Sequence, residues 1–165
     1  MLTNLSANLA LDNNNSTCTR LSYPKQQLLF FVVQDTDEHV RAIVRELVVQ
    51  IVASGSWVIS PPIFFDSIED LGAIRRVLPD ATVGGIHEIY AATLHDLPKP
   101  VDAQHLAEVE RIAEFVRRFS AEHSMEFEFE LDGTYVGTIS DGNIDDTFSK
   151  GLIDEWRRKI LAMPD

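Results

Sequence analysis

The feature that most constrains the fold of this chain is residues 126–139, EFEFELDGTYVGTI. Phe127, Phe129 and Leu131 alternate with Glu126, Glu128 and Glu130. A period of two is that of a strand with one face in a core and the other in solvent. Asp132-Gly133 then supplies the two positive-φ positions of a type I′ turn. The stretch therefore predicts an antiparallel hairpin, with Phe129 facing Val136 on one side and Glu130 facing Tyr135 on the other. A lone hairpin is marginal in water, so the remaining chain must supply further strands and a covering layer of helices.

The upstream elements fit that requirement. Residues 28–33, LLFFVV, read as a strand covered on both faces. Asp35 and Glu38 form a D-x-x-E capping pattern. Val40, Ile43, Val44, Leu47, Val48, Ile51 and Val52 follow at helical spacing, and Gly55 ends the run. Residues 57–60 predict a short strand stopped by Pro61 and Pro62, completing a right-handed βαβ unit. A helix is expected over 67–78, from Ser67 to the residue before Pro79. Residues 82–94 are expected to form a strand with a bulge at Gly84-Gly85, with a helix from Ile86 as the alternative. HDLPKP at 95–100 reads as a loop.

Asp102 is then expected to cap a helix with Leu106, Val109, Ile112, Ala113, Val116 and Phe119 on its buried side. Its solvated face carries Glu108, Glu110, Arg111, Glu114, Arg117 and Arg118. After the hairpin, Asp141-Gly142 turns into a closing helix with Phe148, Leu152, Trp156 and Ile160 in line. The expected class is α/β or α+β: one layered domain over 23–165, in the order β-α-β-α-β-α-β-β-α. It has a mixed sheet, a C-terminal antiparallel hairpin and four helices. Residues 1–22 differ in composition, and their Asn-rich polar run predicts a flexible arm.

Charge narrows the function. The chain has a formal net charge of −12, and 121–155 hold ten carboxylates against the single base Lys150. That balance argues against nucleic acid and against an anionic membrane surface as partners, because both require clustered Lys and Arg. No apolar run is long enough to span a bilayer. The N-terminus has no basic region ahead of an apolar one, a poor match to a secretory signal. The single cysteine, Cys18, lies in polar sequence with no basic neighbour to activate it. Together these features place the chain in the cytoplasm.

Glu126 and Glu128 would lie about 7 Å apart on one strand face, a separation that suits an inverting glycosidase. One of such a pair must be desolvated, and an alternating strand leaves its polar face wet. DGNIDD at 141–146 resembles a calcium loop in its first oxygens, but Asp146 and Leu152 stand where glycine and glutamate are required. A turn followed by carboxylates in a first helical turn explains it better. His39, His87, His95, His105 and His123 include no helical zinc pair. Phosphate-binding, dinucleotide and nucleophile-elbow motifs are missing, and Trp57 and Trp156 read as core.

The leading expectation is a non-enzymatic module that engages a basic partner protein, of the inhibitor, immunity or antitoxin kind, with no metal or cofactor. Glu126, Glu128, Glu130, Asp141, Asp145 and Asp146 would provide its anionic face, with Tyr135 as an aromatic anchor. One alternative is a small metal-assisted hydrolase using His87, Glu88, His95 or Asp96. Another is a homo-oligomeric structural protein using exposed Phe64 and Phe65.

Overall fold

The computed structural model describes residues 23–66, 82–91 and 97–165. The arm at 1–22, the helix expected at 67–78, and His95 and Asp96 lie outside the described residues. The domain is α+β. Its strands are β1 (Lys25–Val32), β2 (Ile63–Asp66), β3 (Val83–Tyr90), β4 (Glu126–Leu131), β5 (Thr134–Ser140) and β6 (Asn143–Ile144). Two helices, α1 (Glu38–Ala53) and α2 (Lys99–His123), interleave with them. The C-terminal helix, α3, comprises an α-helical turn over Asp146–Phe148, a π-helical stretch over Ser149–Asp154 and an α-helical part over Glu155–Ala162.

The strands form one sheet in the order β2-β3-β1-β4-β5-β6, and every neighbouring pair is antiparallel. The expectation of a mixed sheet is corrected here. β1 and β2 do run in the same direction around α1, but β3 inserts between them. β3 and β4 are likewise parallel around α2, with β1 inserted between. The first four strands and two helices thus interlock as two split β-α-β units, the connectivity called ferredoxin-like. β5 and β6 extend that sheet on the β4 side.

Several boundaries differ from the sequence reading for local reasons. Asp37, not Asp35, caps α1, accepting the Val40 N–H at 2.9 Å. Residues 57–60 form no strand. They are tied to α2 instead: the Val58 N–H donates to Glu108 at 2.7 Å, and the Arg111 guanidinium lies 4.2 Å from the Trp57 ring centre. The strand comes after the two prolines, at Ile63–Asp66. Gly84 and Gly85 keep regular register with both neighbours and form no bulge. Gly85 is required because a Cβ there would occupy the space of the Phe30 ring. α2 starts at Lys99, ahead of Asp102, since a proline in the first turn gives up no needed N–H.

The hairpin is close to the expected one. Asp132 and Gly133 have φ of 48° and 83°, as a type I′ turn requires. Glu130 pairs with Tyr135, but Phe129 pairs with Gly137 because Val136 is accommodated by a bulge. Gly137, at φ 147°, leaves room for Phe148 of α3 against the strand. Asp141 and Gly142 repeat the positive-φ turn and carry the chain into β6.

The main core lies on the helix side of the sheet. Leu28, Phe30, Phe127 and Phe129 meet Leu47 and Ile51 of α1, Val109, Ile112 and Val116 of α2, and Phe148 of α3. Leu29, Phe31, Phe65 and Ile86 form a smaller buried cluster on the outer face. Phe65 is thus fully buried, and Phe64 is half-buried beneath Arg45, whose guanidinium lies 4.7 Å from the ring. The Phe64-Phe65 pair does not form an exposed patch.

α3 departs from a regular helix. Phe148, Leu152, Trp156 and Ile160 would share one stripe of an α-helix, four residues apart. The wider π-turn shifts the phase by one residue, so Phe148, Ile153 and Ile160 are the buried positions. Leu152 and Trp156 become half-buried at the edge of the core.

Candidate functional site

The register of β4, β5 and β6 sorts the acidic stretch by face. Phe127 and Phe129 point toward the helices, so Glu126, Glu128 and Glu130 point outward. Their partners Ser140, Thr138 and Tyr135 share that outer side, as does Asn143 opposite Ser140. The Tyr135 hydroxyl lies 2.6 Å from the Thr138 hydroxyl and donates to Asp145 at 3.2 Å. Three carboxylates, two hydroxyls and the phenol of Tyr135 therefore share one surface, and Tyr135 is 46% exposed.

The individual acids are not equivalent. Glu126 is exposed, Glu128 half-buried and Glu130 buried, and neither Glu128 nor Glu130 is a free carboxylate. Asp145 caps α3: one oxygen accepts the Phe148 N–H at 2.9 Å and the other accepts the Thr138 N–H at 3.0 Å. Asp141 is exposed in the β5–β6 turn beside Glu126, since Ser140 pairs with Glu126. Asp146 is exposed in the first turn of α3 with Lys150 3.3 Å away. Glu126, Asp141 and Asp146 are thus the solvent-facing members of the expected set, Glu128 is partly available, and Glu130 and Asp145 are built into the fold.

A second assembly lies inside the protein. Glu108 is completely buried, which corrects its placement on the solvated side of α2. His87 of β3 and His105 of α2 are equally buried and both contact Glu108 Oε1 at 3.1 Å. Oε2 accepts the Val58 N–H. His105 Nε2 accepts the Tyr90 N–H at 3.2 Å, so its proton resides on Nδ1 and donates to Glu108. His87 likewise donates through Nε2, which leaves its Nδ1 buried without a hydrogen-bond partner. Burial alone would raise the Glu108 carboxyl. The bonds from His105, His87 and Val58 outweigh it and hold the group at about 2, below its ordinary 4.5.

This cluster joins β3, α2 and the segment after α1, and its three side chains, His87, His105 and Glu108, are completely buried. Its geometry suits a structural tie. His87 and Glu88 do not converge: His87 points to the helix side and Glu88 to the outer side, 4.0 Å from Lys25. Among the described residues, no group of three or more His, Cys, Asp or Glu side chains is disposed to hold a metal ion.

The sequence reading takes the histidines as lone solvated residues, and for His105 that is corrected; the one signal of its burial is its place four residues before Val109 on the apolar stripe of α2. Glu108 stands four before Ile112 but carries a charge, and only its three donors make that position tolerable. Among the described residues, no helix is long and apolar enough to cross a membrane. Comparison of the chain with protein-family models, with curated proteins and with solved structures finds no match.

Proposed function

We propose that this chain is a non-enzymatic binding domain that engages a basic protein through the outer face of β4, β5 and β6. The observation that carries this reading is the co-facial placement of Glu126, Glu128 and Tyr135, with Asp141 on the adjoining turn. Carboxylates at such a rim steer a cationic partner into register, and an exposed tyrosine supplies an anchor with little conformational freedom to lose. Inhibitor, immunity or antitoxin-like proteins act in this way, by covering the basic surface of another protein. The lone Cys18 fits work in a reducing compartment such as the cytoplasm.

Retention of proteins from a native lysate, at low and high salt, tests the reading. The expected result is a basic protein that leaves at high salt and is not held by the E126Q/E128Q/D141N variant or by Y135A. Retention unchanged by both variants would overturn the assignment to this face.

A further inference from the structure

We propose that a cavity between α3, the first turn of α2 and the ends of β1 and β3 binds a small apolar organic ammonium, with Asp102 as its counter-ion. The cavity holds about 160 Å³ and is walled by Ile89, Leu131, Leu152 and Trp156. Asp102 lines it while only 4% exposed. One of its oxygens, Oδ1, accepts the Trp156 indole N–H at 2.7 Å. Oδ2 is not among the buried side-chain atoms left without a partner, so the small exposed part of Asp102 is what it presents to the cavity. A carboxylate this little exposed has few waters to solvate it, and a cationic donor inside the cavity would add a charge-assisted bond to it.

The site is made by the irregularity of α3. A regular helix would carry Leu152 and Trp156 into the core with Phe148. The π-turn moves them to the cavity wall and gives their core place to Ile153. π-Turns recur at functional sites for this kind of reason, since they hold side chains where an α-helix would not.

The lining selects the ligand. An apolar cavity of about 150 Å³ accommodates benzene, so one ring or its aliphatic equivalent fills this one. Asp102 and Glu155 exclude a carboxylate or phosphate as the buried end, and the aromatic walls of Trp156 and Tyr90 favour a cation. Lys159 also lines the cavity and is exposed, which disfavours a second positive charge on the ligand. A monocationic amine with an apolar body satisfies all of these conditions.

Benzylamine is a suitable probe, with benzyl alcohol and benzoate as controls of similar shape. Binding is followed through the indole N–H resonances of the folded chain. Trp156 sits in the cavity, whereas the Trp57 indole donates to Val52 O at 3.3 Å and serves as an internal reference. Benzylamine is expected to shift the Trp156 signal alone, at about tenfold lower concentration than benzyl alcohol. Benzoate should produce no shift. Asp102→Asn keeps an acceptor for Trp156 and should bring benzylamine down to the level of the alcohol. Equal binding of amine and alcohol to the wild-type chain would overturn the proposal, as would no response to benzylamine at millimolar concentration. Both readouts use the wild type and hold whether or not the variant folds.

Discussion

Glu108 is the residue on which the interior most depends. It accepts from His87, His105 and the Val58 N–H, joining three parts of the chain through one carboxylate. Glu108→Gln keeps one acceptor oxygen but leaves at least one buried donor unmatched, so a loss of about 1–3 kcal/mol in urea unfolding at neutral pH is expected. The same group sets an acid limit. Its folded value of about 2 lies below the unfolded 4.5. Its contribution is therefore complete above about pH 4.5 and is lost as the pH falls toward 2. Unfolding midpoints measured across that window should fall in the wild type and fall less steeply in Glu108→Gln. Parallel curves would show that the carboxylate is not held as described. Asp145 has a comparable duty at the surface: losing its cap to Phe148 and its bond to Thr138 in Asp145→Ala should cost about 2 kcal/mol.

At the scale of elements, the sequence was most readable where periodicity and turn chemistry agreed. The 126–139 hairpin and α1 both appear where their patterns put them, because alternation was reinforced by Asp-Gly in the one and a long apolar run at helical spacing sufficed in the other, even though the cap is Asp37 and not Asp35. Three features were not legible. Trp57-Val58 looks like a strand by composition, but its groups are taken by α2 side chains. Gly84-Gly85 looks like a bulge, but Gly84 makes room for the β1 backbone at Phe30 and Phe31, and Gly85 for the Phe30 ring. Gly85→Ala should therefore destabilise the domain by about 1–3 kcal/mol, a typical overpacking cost, rather than stiffen the strand. The π-turn of α3 left only one trace, a glycine at 151 in mid-helix with open space around it. Deleting Gly151 would bring Phe148, Ile153 and Ile160 into regular α-helical spacing. The shortened chain is expected to fold with stability within about 1 kcal/mol of wild type and to lose its response to benzylamine. A folded deletion variant that still responds would separate the cavity from the π-turn.

For the whole molecule, class and layering could be read from the sequence, but strand order could not. Nothing local in residues 28–33 or 83–90 says that β3 inserts between β1 and β2, since that pairing joins residues 53 to 65 positions apart, such as Phe31 with Gly84 and Lys25 with Tyr90. The same long-range order decides what the acidic stretch can do. Once β4 packs its phenylalanines on the helices, its glutamates must face outward beside Tyr135 and Thr138. Spacing predicted a shared face, while the caps and burial that withdraw Asp145 and Glu130 from it belong to the tertiary structure. The most direct test is the association rate of the retained basic partner at low and high salt. Wild type would be compared with E126Q/E128Q/D141N and with E38Q/E46Q/E122Q, an equal charge change elsewhere on the surface. The outer face accounts for binding if only the first variant associates more slowly and with a flatter salt dependence. Equal slowing by both variants would mean that net charge alone attracts the partner, and that this face has no special part in binding it.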